Sequence, residues 1–222
     1  WYFSFKKLIG NHGDCAHHAC LKMTCNQARN LEDACPIESP NNLTGFAWDK
    51  HLTGATDHYK NVFNRDKWFL DLCDREPLID LAESTMGQDC HIIGESAWRS
   101  RHGHNGWTPH TDRTFIDVPE ELLLNGTVKL PIYLCTAHYY LDDLDVSLAP
   151  TWVIPGSHKS GRPLVWGKET NPEWQGKQME PVLCKAGDVL FFRSEIWHTG
   201  SENTSDKTRY LLQVHYSHRY IA

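Results

Sequence analysis

Lys185-Ala-Gly-Asp-Val-Leu-Phe-Phe-Arg-Ser-Glu-Ile-Trp-His198-Thr-Gly-Ser-Glu-Asn-Thr-Ser-Asp-Lys-Thr-Arg209-Tyr-Leu-Leu-Gln-Val-His-Tyr216 is the stretch on which the fold turns. Two apolar runs, Val189–Phe192 and Arg209–Tyr216, are short and rich in β-branched and aromatic residues, as strands are. Between Ser201 and Lys207 every residue is polar or turn-forming. If His198 closes one strand and Arg209 opens its antiparallel neighbour, both side chains face one barrel mouth. An arginine there suits a carboxylate, because its planar fork donates two parallel hydrogen bonds that lysine cannot imitate.

Upstream, further strand-like runs recur at Cys90–Gly94, Val128–Tyr139 and Thr151–Ile154, separated by Gly, Pro, Asn and Asp clusters. The segment Gly161–Pro181 is long and charged and is expected to be a surface excursion. Before Gly87 the pattern is helical, first from about Asp57 to Cys73, then over Glu76–Met86, where Pro77 suits the first turn and Gly87 the stop. Helices first and then many short strands predict a mainly β fold, a sandwich or jelly roll with flanking helices. The expected organisation is one domain over 1–222. It has an irregular Cys/His-rich segment over 1–50, a helical buttress over 51–88 and the jelly-roll core over 89–222.

Composition narrows the function. The 222 residues carry 22 Lys+Arg against 28 Asp+Glu, a formal net charge of -6, with no basic stripe, which argues against nucleic acid. No apolar run approaches the ~20 residues of a membrane-spanning helix. Histidine (14) and cysteine (8) are both abundant. Cys73, Cys90, Cys135 and Cys184 are scattered and read as thiols rather than a disulfide framework. Cys15, His17, His18, Cys20 and Cys25 form a loose candidate for zinc. Asn-x-Ser/Thr sequons at Asn42, Asn125 and Asn203 do not establish secretion.

The chemistry concentrates in Trp107-Thr-Pro-His110-Thr-Asp112-Arg113. On an extended chain, residues two apart project to the same side, so His110 and Asp112 converge on one ion. Two histidines and one carboxylate form the facial triad of non-haem Fe(II) oxygenases, and His198 is the candidate third ligand. His-x-Asp also occurs at His12-Gly13-Asp14, in an irregular segment without strand context, and that pair is set aside. His102, His104 and His215 are expected to make hydrogen bonds rather than bind metal. Trp107 and His138 are candidate pocket residues. Arg101 and Arg113 lie near the metal segment as solvated charges or partners of an anionic substrate.

These pieces in this order resemble the phytanoyl-CoA dioxygenase family of Fe(II)/2-oxoglutarate-dependent oxygenases. The matching residues are His110-x-Asp112, Pro150-Thr-Trp-Val-Ile-Pro-Gly-Ser-His158, Lys185–Phe192, Trp197-His198, Asn203 and Arg209, covering about residues 90–218. The resemblance implies a double-stranded β-helix and iron held by His110, Asp112 and His198. It also implies that Arg209 grips the distal carboxylate of 2-oxoglutarate. O2 would be the oxidant, a small organic molecule the substrate, and succinate and CO2 the products. With Asp112 present, hydroxylation rather than halogenation is implied. Two positions depart from the pattern: Gly200 stands where the family often has serine, and His138 where it often has tryptophan. Two other readings stay open, a non-catalytic jelly-roll binding domain and a cupin-type metalloenzyme that does not use 2-oxoglutarate. Ferrous iron and free thiols fit a reducing compartment.

Overall fold

The computed structural model describes residues 2–4, 55–64, 67–112, 116–165 and 167–221. Strands β1 (Tyr2–Ser4), β2 (Thr56–Lys60), β3 (His91–Ser100), β4 (Leu134–Tyr140), β7 (Val189–Arg193) and β9 (Arg209–Ser217) form one sheet in the order β1-β7-β4-β9-β3-β2. Strands β5 (Thr151–Val153), β6 (Glu180–Pro181) and β8 (His198–Gly200) form a second, in the order β6-β5-β8. Every pairing is antiparallel, and the architecture is the jelly roll expected.

Side chains alternate across a strand, and here the alternation separates two cores. Cys135, Ala137 and Tyr139 of β4, Phe191 of β7, and Tyr210, Leu212, Val214 and Tyr216 of β9 face one side. There they pack on helices α1 (Lys67–Cys73) and α2 (Leu78–Met86) through Phe69, Leu72, Leu78, Ala82 and Met86. The intervening residues, Tyr140, Leu190, Phe192 and Leu211, face the other way and meet Val153, Val182, Cys184 and Ile196. That second cluster is the space between the sheets, and its open end holds the polar side chains of the site.

Several expectations are corrected. The helical pattern from Asp57 begins with an edge strand: Thr56–Lys60 pairs with β3 from Thr56↔Ser100 to Lys60↔Ser96, and α-helix starts only at Lys67. The buttress is therefore part sheet. Residues 128–133 precede β4 rather than belong to it, and β3 runs on past Gly94 to Ser100 through a register shift between Ile92 and Gly94. The excursion over 161–181 is not wholly on the surface, because Leu164 and Trp174 bury themselves against Ile154 and Trp197. Cys73, Cys135 and Cys184 are buried reduced thiols and Cys90 is half-buried. Burial pushes the thiols of Cys73 and Cys135 up to about 12. The zinc candidate at Cys15, His17, His18, Cys20 and Cys25, the pair His12/Asp14, Asn42 and Arg113 lie outside the described residues. Among the described residues no helix is long and apolar enough to cross a membrane.

Candidate metal centre

The segment leading to His110 lies along β8 as a short extra strand. His110 and His198 are directly opposite and exchange both backbone hydrogen bonds, His110 N to His198 O and His198 N to His110 O, each 2.9 Å. Residues opposite one another in an antiparallel pair present their side chains on the same face. This one pairing therefore brings the two imidazoles together, with ring centroids 4.4 Å apart. Asp112, two residues on, donates its backbone N–H to Ser194 O at 3.1 Å. Its Oδ1 lies 3.9 Å from His110 Nε2 and 3.6 Å from His198 Nε2. One donor atom from each of the three lies within 4.8 Å of the others.

The ring orientations suit a cation. His110 Nδ1 donates to Thr108 O at 2.8 Å and His198 Nδ1 to Ile196 O at 2.9 Å. A carbonyl only accepts, so Nδ1 carries the proton in both rings and the Nε2 lone pairs point at the shared space. Burial holds His110 down to about 4, and it is neutral near pH 7. Burial opposes charge at both other members, yet their attraction prevails: Asp112 is held below the ordinary carboxylate range and His198 above the ordinary imidazole range. A cation seated there would compete with a proton for His198 Nε2. Two imidazoles and one carboxylate on one face fit a non-haem iron.

Arg209 opens β9 on the same inner face and is 4% exposed. Its guanidinium donates to Ala149 O and, at 3.3 Å, to Ser100 Oγ, while Nε is buried without a partner among the described residues. No carboxylate among the described residues forms an ion pair with it, and burial lowers its proton affinity. Asn203 fixes the neighbourhood by donating from Nδ2 to Ser100 O at 2.9 Å and Lys207 O at 2.8 Å. That buried amide is a structural clamp.

His138 lies inside, held at both ring nitrogens. Gln213 Oε1 accepts from Trp98 Nε1 at 2.9 Å and Ser96 Oγ at 3.1 Å, so its amide nitrogen donates to His138 Nε2 at 3.1 Å. His138 Nδ1 then donates to Thr151 Oγ1 at 3.3 Å, which also accepts from Tyr140 OH at 2.6 Å. Burial keeps His138 neutral. Trp107 is half-buried and donates its backbone N–H to Gly200 O at 2.8 Å. A Cβ on Gly200 would stand 3.2 Å from Trp107 Cδ1 and 3.9 Å from its Nε1. The indole thus fills the space a side chain at position 200 would take, which accounts for the glycine.

The remaining histidines behave as expected: His104 Nδ1 lies 2.6 Å from Thr56 Oγ1 and His102 Nδ1 lies 2.8 Å from Ser205 O. Arg101 pairs with Asp57 at 2.5 Å and is not offered to a ligand. Ser157 is structural, accepting from Trp197 N at 2.8 Å, and His158 Nδ1 is buried without a hydrogen-bond partner among the described residues. Sequence reasoning missed Ser100, Thr136, Thr151 and Gln213. The first and last lie on strands that pair beside named site residues, and alternation from His138 marks Thr136, but polar strand residues carry no spacing signal of their own.

A jelly roll with two histidines and a carboxylate at its open end defines the class of double-stranded β-helix proteins equipped for a metal. Within that class the chain belongs to the phytanoyl-CoA dioxygenase (PhyH) family, whose model matches residues 36–211. It is 26% identical over 153 residues to dioxygenase af480 of Aspergillus fumigatus, covering 68% of this chain and 45% of that protein. Phytanoyl-CoA dioxygenase 1 of Oryza sativa subsp. japonica is 28% identical over 118 residues, covering 48% of this chain and 37% of its own. The matches thus span less than half the length of these two relatives. Among solved structures, the epimerase SnoN, in complex with Fe3+, alpha ketoglutarate and nogalamycin RO, superposes with a TM-score of 0.65 at 17% identity, over 90% of this chain and 74% of that one. HygX from Streptomyces hygroscopicus, with nickel, 2-oxoglutarate and hygromycin B bound, gives 0.63 at 15% identity, over 88% and 78%. At these identities the likeness establishes the fold.

Proposed function

We propose that the chain is an Fe(II)- and 2-oxoglutarate-dependent dioxygenase that oxidises, by hydroxylation, a small organic substrate. His110, Asp112 and His198 hold the iron, Arg209 binds the distal carboxylate of 2-oxoglutarate, and His138 and Trp107 line the cosubstrate pocket. The observation that carries this reading is the pairing of the triad with Arg209, a buried cation on the same inner face that forms no ion pair with a carboxylate among the described residues. Burying an uncompensated charge is costly, and an anionic cosubstrate would supply the missing partner.

When bound, the iron would supply the redox centre at which O2, the oxidant, takes two electrons from 2-oxoglutarate, which ends as succinate and CO2, and two from the substrate. The chain's own residues orient and exclude. The carbonyls of Thr108 and Ile196 fix the imidazole tautomers. Ser100 and Ala149 aim the guanidinium. The run from Trp98 through Gln213, His138 and Thr151 to Tyr140 keeps the chamber wall neutral and rigid. The Trp107 ring, packed against Gly200, closes that side of the chamber.

Anaerobic addition of Fe(II) and then 2-oxoglutarate tests the reading through the weak visible metal-to-ligand charge-transfer band, with His110→Ala and Arg209→Ala as controls. The band is expected in the wild type and lost in both controls. Iron binding to a well-folded wild type with no response to 2-oxoglutarate would sink the cosubstrate assignment and favour a cupin-type metalloprotein.

A further inference from the structure

Two residues stand behind Asp112 without belonging to the triad. Thr136 on β4 and His215 on β9 are directly opposite one another, so both side chains enter the chamber from the sheet. Thr136 is fully buried. Its Oγ1 lies 3.2 Å from Asp112 Oδ2 and 3.0 Å from His215 Nδ1.

The direction of this chain follows from proton counting. Threonine has one hydroxyl proton, and an ionised carboxylate accepts only. Were the proton turned toward His215, lone pairs of Thr136 and Asp112 would face each other across the 3.2 Å gap. The hydroxyl therefore donates to Asp112 Oδ2 and accepts from His215 Nδ1–H, which satisfies all three atoms. Oδ2 is thereby engaged, and Oδ1, the oxygen nearer both Nε2 atoms, is the one offered to a cation.

We propose that His215 and Thr136 are positioning residues that restrict Asp112 to ligation through one oxygen. The proposal rests on the triad reading. A carboxylate free to swing would chelate through both oxygens and take a position that the facial arrangement leaves open. Partners that orient a metal ligand typically change metal affinity about 10- to 100-fold when removed.

The test is anaerobic titration of the whole chain with Co(II), following tryptophan fluorescence and the visible cobalt bands. Thr136→Val keeps the shape and removes the hydroxyl; Thr136→Ser restores it. His215→Phe removes the donor, whereas His215→Asn keeps an N–H close to the Nδ1 position. Thr136→Val and His215→Phe are expected to bind Co(II) about 10- to 100-fold more weakly, with altered bands. Thr136→Ser and His215→Asn should stay within about threefold of wild type on the same reasoning. Wild-type affinity and bands in Thr136→Val would overturn the relay while leaving the triad intact. If that variant does not fold, equal affinities in the two His215 variants overturn it instead. A wild-type chain that binds no metal would remove the triad reading and the relay together.

Discussion

Arg209 and Gly200 are single positions whose neighbours settle what substitution will do. Lysine at 209 keeps the charge but cannot donate to Ala149 O, Ser100 Oγ and a carboxylate in one plane. Truncating a partner of a buried charge pair costs about 2–5 kcal/mol. Arg209→Lys is therefore expected to weaken 2-oxoglutarate binding at least ~30-fold by equilibrium titration, the lower end of that range. Fe(II) affinity should not change. Gly200→Ser places its Cβ 3.2 Å from the Trp107 ring, so the indole must shift by a few tenths of an ångström. The expected outcome is a changed tryptophan fluorescence and weaker 2-oxoglutarate binding, with the metal site retained. The role of Trp107 was only partly legible in the sequence. Its position three residues before His110 makes it a pocket candidate, but the reason for Gly200 is a cross-strand contact that no spacing reveals.

At the level of elements, the segment entering His110 depends on Gly106. Its φ is +74°, and a Cβ there would lie 2.9 Å from backbone atoms of Gly200, Ser201 and Glu202. Backbone cannot yield as a side-chain tip does. Gly106→Ala is expected to lift the segment from β8, destabilising the fold by ~1–3 kcal/mol in a denaturant melt. Metal affinity should fall more than stability, because His110 lies on the displaced segment. Strands with one continuously apolar face, β4, β7 and β9, were legible to within a few residues apart from the start of β4, because alternation and burial agree there. The misreadings have physical causes. In β2, Thr56–Lys60 is polar at Asp57, His58 and Lys60 and sits on a sheet edge, where pairing with β3 overrides the weak pattern. In β8 and β6 only 3 and 2 residues pair, too few for any period to appear. The triad was legible because ligand chemistry restricts residue type, whereas Thr136 and Gln213 belong to strands where many polar residues would serve.

For the whole molecule, Glu95 links pH to stability. It is 2% exposed on the helix-packed side of β3, and no cation among the described residues pairs with it. Burial pushes its carboxyl from 4.5 up to about 8. A carboxyl raised in the folded state binds a proton more tightly there than in the unfolded chain. Its favourable contribution is complete below the unfolded value and is lost as pH rises from about 4.5 to about 8. Urea melts across that window should show stability declining with pH, and Glu95→Gln should flatten the slope. The reciprocal backbone bonds between His110 and His198 have a separate consequence at the same scale. A cation held by both rings ties together two points far apart in the chain, and so acts as a removable cross-link over the intervening loop. Closing so long a loop restricts the unfolded ensemble far more than the folded one. Chelator should then lower the melting temperature, and amide exchange at positions 110 and 198 should speed up together, as the two sides of one released clasp.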